Sequence, residues 1–154
     1  MKGGSEDIRL TGILIGSGGD MRNKSLAADY ISRAGHRLAA LEVLMQRQSY
    51  ADVVREAQEI VELCMKGLLR IANVEVPRLH DVSDVLASAA AALPASVKPH
   101  VAQLSRVSRS LRRDRELAFY GSEDLTPSEF YKEEDARQAF DDAKWVFSIC
   151  KGVV

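Results

Sequence analysis

"SYADVVREAQEIVELCMKGLLRIAN", Ser49 to Asn73, is the stretch whose reading decides the fold. Tyr50, Val53, Val54, Ala57, Ile60, Val61, Cys64, Leu68 and Ile71 recur in steps of three and four. At about 100° per residue this spacing puts them on one face of a helix. A face so continuously apolar has to be covered by other elements. Ser49 stands where an N-cap belongs, with Asp52 at the capping-box position three residues on. The helix is expected to end near Asn73, ahead of "VEVP".

The same periodicity extends outward in both directions. Upstream, Ala27, Ile31, Ala34, Leu38, Leu41 and Met45 predict a helix over about Ser25 to Gln48. Downstream, an alanine-rich helix runs from Asp81 to about Leu93 and is closed by Pro94. A fourth starts between Pro94 and Pro99 and reaches about Phe119, with Val97, Val101, Leu104 and Leu111 as its apolar positions. A fifth follows "LTPSE" and carries Ala136, Ala139, Phe140, Ala143, Val146, Phe147 and Cys150 on one face. No strand-like alternation occurs after residue 20. The connections are short except for "YGSEDLTPSEFY", and long helices joined by short turns pack as antiparallel neighbours. The expectation is an all-α, up-and-down bundle of four to five helices, with the second and fifth at its centre.

The first 20 residues differ. "DIRLTGILIGSGGD" has an apolar run followed by glycines, but it lacks both the GxGxxG fingerprint and a GK[ST] ending, so it is a poor phosphate-binding loop. It is read as a flexible arm, or as sequence ahead of a true start at Met21, leaving residues 21–151 as the helical domain.

Composition narrows the function. With 46% hydrophobic and 28% charged residues in 154, the chain has the make-up of one globular domain with a single core. A net charge of −1 excludes a globally basic nucleic-acid binder and leaves room for a local patch. Cys64 and Cys150 are far apart with no CxxC spacing, which argues against a disulfide scaffold or a zinc site. Each reads as an inert core thiol. No metal and no cofactor is expected, there is no membrane-length apolar run, the N-terminus makes a poor signal peptide, and the default location is cytoplasmic.

The fourth helix is crowded with arginine. Arg106, Arg109 and Arg113 share an angle opposite Leu104 and Leu111 and are expected to form a solvated face; the functional alternative is a phosphate-contacting stripe. Arg115 instead continues the angle of Val97, Val101 and Leu104. It either sits near a helix C-terminus, where cations are favoured, or holds an anion at a dimer cleft. Phe119 and Tyr120 would close the helix against the bundle and Gly121 would cap it, with Tyr120 alternatively offering its hydroxyl or a ring face to a base. His80, at a helix start, reads as a capping or packing histidine. Glu62 and Lys66 are one turn apart and can pair. His36 lies on the far face of the first helix and is expected to be exposed.

Taken together, "REAQEIVELCMKGLL", "PRLHDVSDVL", "RELAFYG" and "YKEEDARQAFDDAKWVF" resemble the HEPN domain, a small all-helical family. The resemblance covers about Met21 to Lys151. It rests on a Q-x-x-V-E-x-x-x-K helix, an H-D at the next helix start, an R…Y-G before the last loop and an alanine-spaced final helix. It implies a helical bundle that pairs as a homodimer and binds a nucleotide or RNA. It also implies a nucleotidyltransferase partner in a toxin–antitoxin-type pair. The candidate ligand-binding residues are then Arg112, Arg115, Tyr120, Lys66 and His80. Many members are metal-independent ribonucleases marked by an arginine followed, after four to six residues, by a histidine. Here none of His36, His80 and His100 has such an arginine, and Arg115 is followed at the matching place by Tyr120. Tyrosine, with a pKa near 10, is a poor general base at neutral pH. The leading reading is thus a binding and interaction module rather than an enzyme. The alternative is a divergent ribonuclease using Arg115 and Tyr120.

Overall fold

A computed structural model describes residues 8–10, 13–15, 17–75, 82–120 and 125–154, with the side chains of 21–75, 82–113 and 125–154. Two short strands, β1 (Ile8–Leu10) and β2 (Ile13–Ile15), pair antiparallel, with Ile8 opposite Ile15. Six helices follow: α1 (Ser17–Gln46), α2 (Tyr50–Ile71), α3 (Val82–Ser88), α4 (Val101–Tyr120), α5 (Pro127–Phe130) and α6 (Glu133–Lys151). Single 3-10 turns at Ala90–Ala92 and Lys98–His100 join α3 to α4. The architecture is the expected all-α bundle.

The helix α2 forms its axis, packing most extensively against α1, then α6 and α4. Val53, Val54, Ala57, Ile60, Val61, Cys64, Met65, Leu68 and Leu69 are all buried. The stripe read from sequence is thus correct but too narrow, because α2 is covered on several sides at once. Leu69, off the stripe, is fully buried in the chain's own core. Leu63 is partly buried against that core. The apolar faces expected of α1 and α6 pack on α2, through Ala27, Ile31, Ala34 and Leu41 on one side and Ala136, Ala139, Phe140, Ala143, Val146 and Cys150 on the other.

Glycine permits the closest approaches. A Cβ on Gly67 would stand 3.0 Å from Cγ1 of Ile31, so α1 and α2 meet here nearly backbone to side chain. Gly35 similarly admits the Phe147 ring, 3.1 Å from where its Cβ would be. Arg37 Nη1 donates to Glu56 Oε1 at 2.8 Å and Asn23 Nδ2 to Asn73 Oδ1 at 2.9 Å. These pairings run α1 antiparallel to α2. The Asn23 bond ties down the start of α1, which begins eight residues before the expected Ser25.

The ends of α1 and α2 share one device. Gln48 has φ 58° and Asn73 has φ 59°. Ser49 N–H donates to the Leu44 carbonyl and Gln48 N–H to that of Met45, both at 3.0 Å. Val74 N–H donates to Leu69 at 2.9 Å and Asn73 N–H to Arg70 at 3.0 Å. Both are Schellman closures, which satisfy the last carbonyls and turn the chain back. The expected cap of α2 is different in detail. The Ser49 side chain makes no bond to the helix backbone, and its hydroxyl donates to Asp52 Oδ2 at 2.6 Å instead. A full capping box forms later, at Thr126 and Glu129. Thr126 N–H donates to Glu129 Oε2 at 2.8 Å, and Glu129 N–H to Thr126 Oγ1 at 3.3 Å. The Thr126 backbone N–H holds the Glu129 carboxyl below its usual range.

Candidate functional site

One flank of α2 carries Gln58, Glu62 and Lys66 at successive turns, and α4 brings Arg112 over the middle one. Lys66 Nζ lies 3.6 Å from Glu62 Oε1, and Arg112 Nη2 lies 3.9 Å from the same oxygen. The other oxygen, Oε2, accepts from Gln58 Nε2 at 2.9 Å. One carboxylate is therefore bracketed by two cations from two helices and oriented by an amide. All three charged groups keep solvent access, with side chains 22–37% exposed. At such exposure and separation the ion pairs add little to stability. The local charge balance is one in favour of the cations, which suits an anion.

Gln58 is the buried member, 4% exposed. Its Oε1 has no hydrogen-bond partner, at the usual cost of a desolvated acceptor. Sequence reasoning passed over Gln58 as a site residue. The available signal was its place one turn before Glu62 on the flank of the apolar stripe. That Arg112 rather than another arginine of α4 reaches Glu62 depends on how α4 lies across α2, which spacing within α4 does not reveal.

Arg106, Arg109 and Arg113 are exposed, as their common angle predicted, and lie along α4 beside Arg112. Arg113 borders a cleft of about 320 Å³ whose apolar wall includes Val54, Leu111, Tyr131 and Ala139. Asp142 of α6 lies at this cleft. Burial raises its carboxyl pKa, opposed by Gln138, whose Nε2 donates to Oδ1 at 3.0 Å. His36 is exposed. Among the sequence-derived candidates, the structure brings Lys66 and Arg112 together. The side chains of Arg115 and Tyr120, and all of His80, lie outside the described residues, as does Gly121. Among the described residues no group of three or more histidine, cysteine or acidic side chains could hold a metal ion, and no helix is long and apolar enough to cross a membrane.

Among the described residues, a bundle of helices packed around the central α2, with a polar cluster where that helix meets an arginine-rich neighbour, defines a class of small all-helical domain. The HEPN domain family matches residues 27–153, and the chain belongs to that family. Membership makes it, at the level of class, a nucleotide- or RNA-related module. No curated protein and no solved structure matches the chain.

Proposed function

We propose that this protein is a nucleotide- or RNA-binding and interaction module that acts as a homodimer and partners a nucleotidyltransferase in a toxin–antitoxin-type pair. The observation that carries the binding part is the convergence of Lys66 and Arg112 on the single carboxylate of Glu62, next to the exposed arginines of α4. A guanidinium matches phosphate oxygens in geometry and stays charged at any working pH. An ammonium and a guanidinium held in place by a shared counter-ion are preorganised for such a ligand, and the exposed stripe extends the field along a strand. Residues 21–151 form the module in this reading. Arg115, Tyr120 and His80 complete the ligand-binding set.

The same reading keeps cleavage out of the function. Attack by a ribose 2′-hydroxyl needs a base, and the family's arginine–histidine spacing ends here in Tyr120, whose phenol is protonated near neutrality. Support for the homodimer comes from the family resemblance, since Leu69, the leucine off the stripe of α2, is buried in the chain's own core.

The test is binding of a short single-stranded RNA as a function of salt. Three phosphate-engaging cations, Lys66, Arg112 and Arg115, predict a log–log slope of about −2. Arg112→Ala and Lys66→Ala should each weaken binding roughly 10-fold or more, on the scale of a charge-assisted hydrogen bond, with melting temperatures nearly unchanged. Affinity indifferent to both substitutions would remove this cluster from the site.

A further inference from the structure

Cys64 on α2 and Cys150 on α6 are 86 positions apart, both fully buried and both reduced. The fold presses them together. The Cys150 thiol points at the Cys64 carbonyl oxygen, with Sγ 3.8 Å away. The Cys64 side chain beside it, as a hydrogen-bond partner and ahead of burial, pushes the Cys150 pKa far above the ordinary thiol range. Since the thiolate is the reactive form, Cys150 is dormant while the core is closed.

The two sulfurs differ in how they can be reached. Cys64 lies in the middle of the central helix. Cys150 is the next-to-last residue of α6, which ends at Lys151. The last turn of a helix is where opening costs least, so fraying uncovers Cys150 and leaves Cys64 in place. We propose that Cys64 and Cys150 form a site of reversible oxidative cross-linking that clamps the C-terminal helix to the central one.

With a peroxide as oxidant the chemistry closes. The Cys150 sulfur attacks one peroxide oxygen and the O–O bond breaks. Cys150 becomes a sulfenic acid, and the departing hydroxide takes up the thiol proton as water. When α6 closes again, the Cys64 sulfur displaces the hydroxyl from the sulfenic sulfur. The S–S bond forms, and the hydroxyl leaves with the Cys64 proton as a second water. Two thiols lose two electrons and the peroxide gains them.

The experiment treats the full chain with hydrogen peroxide without denaturant and reads intact mass, non-reducing peptide maps and melting temperature. The expected product is a single chain lighter by two hydrogens, with no link between chains. One peptide pair joins Cys64 to Cys150, dithiothreitol reverses the link, and the melting temperature rises by roughly 5–15 °C, as a long closed loop predicts. Cys64→Ala should divert the reaction to sulfenic or sulfinic acid on Cys150. Sulfinic acid on Cys150 in the wild type, a disulfide between chains, no reaction, or a joined pair with an unchanged or lower melting temperature would each overturn the proposal.

Discussion

Glu62 shows how one side chain sets the character of the site. It neutralises one of the two cations that flank it, so Glu62→Gln should strengthen binding of a polyanion while leaving Gln58 a hydrogen-bond partner. Titration of an RNA oligonucleotide checks this, and weaker binding would show that holding Lys66 and Arg112 in place outweighs the charge the carboxylate cancels. Asp142 makes a pH-dependent prediction. Its folded-state pKa is raised, chiefly by burial, so the folded protein holds that proton more readily than the unfolded chain. Stability is therefore lost as pH rises through the folded value, and at neutral pH the ionised group is a net cost. Asp142→Asn keeps the acceptor for Gln138 and should raise the melting temperature slightly at neutral pH, with the gain gone in acid at about pH 3, below the usual carboxylate pKa. A gain that persists there would assign the effect to packing.

At the scale of elements, periodicity carried most of the fold, and the reason is visible in α2 and α6. Residues three and four apart must share a face whatever covers them, so Val53, Val61, Ala143 and Val146 were legible without coordinates. What covers them was not. Leu69 is buried because α2 is surrounded, and Cys64 meets Cys150 because α6 lies alongside α2. Both facts depend on packing between elements, on which spacing within one helix is silent. The same limit applied at the site: the Glu62–Lys66 pair is local and was legible, whereas Arg112 crosses from another helix. Close packing gives this level its own prediction. Gly67→Leu would place a branched side chain where Ile31 already stands 3.0 Å from a single added carbon. It should destabilise by about 1–3 kcal/mol, in line with overpacked cores, and denaturant melts that show no loss would mean that α1 can move away. Gln48 holds a left-handed conformation that costs most residues about 1 kcal/mol. Gln48→Gly should therefore stabilise the turn between α1 and α2 by up to that amount, part of it offset by the freer unfolded chain.

The whole molecule is close to neutral, and α4 carries a local cluster of five of its 21 lysines and arginines. With a net charge of −1 overall, attraction for RNA has to come from the arginines of α4 rather than from the protein's total field, which makes binding local and gives it a modest salt dependence set by the few phosphate contacts. The assembly proposal belongs to this scale too: light scattering at micromolar concentration should give twice the mass of the chain, and a monomer would reject it. The central claim is that the bundle binds its nucleic-acid ligand and does not turn it over. The most direct measurement incubates the wild-type protein with a mixed RNA pool in EDTA and follows binding and cleavage in the same samples. The account predicts salt-dependent binding with at most a trace of cleavage, because general acid–base catalysis worth about 10²- to 10⁴-fold has no histidine to supply it. Multiple-turnover cleavage in EDTA that is abolished by Arg115→Ala or Tyr120→Phe would contradict it and establish a metal-independent ribonuclease instead.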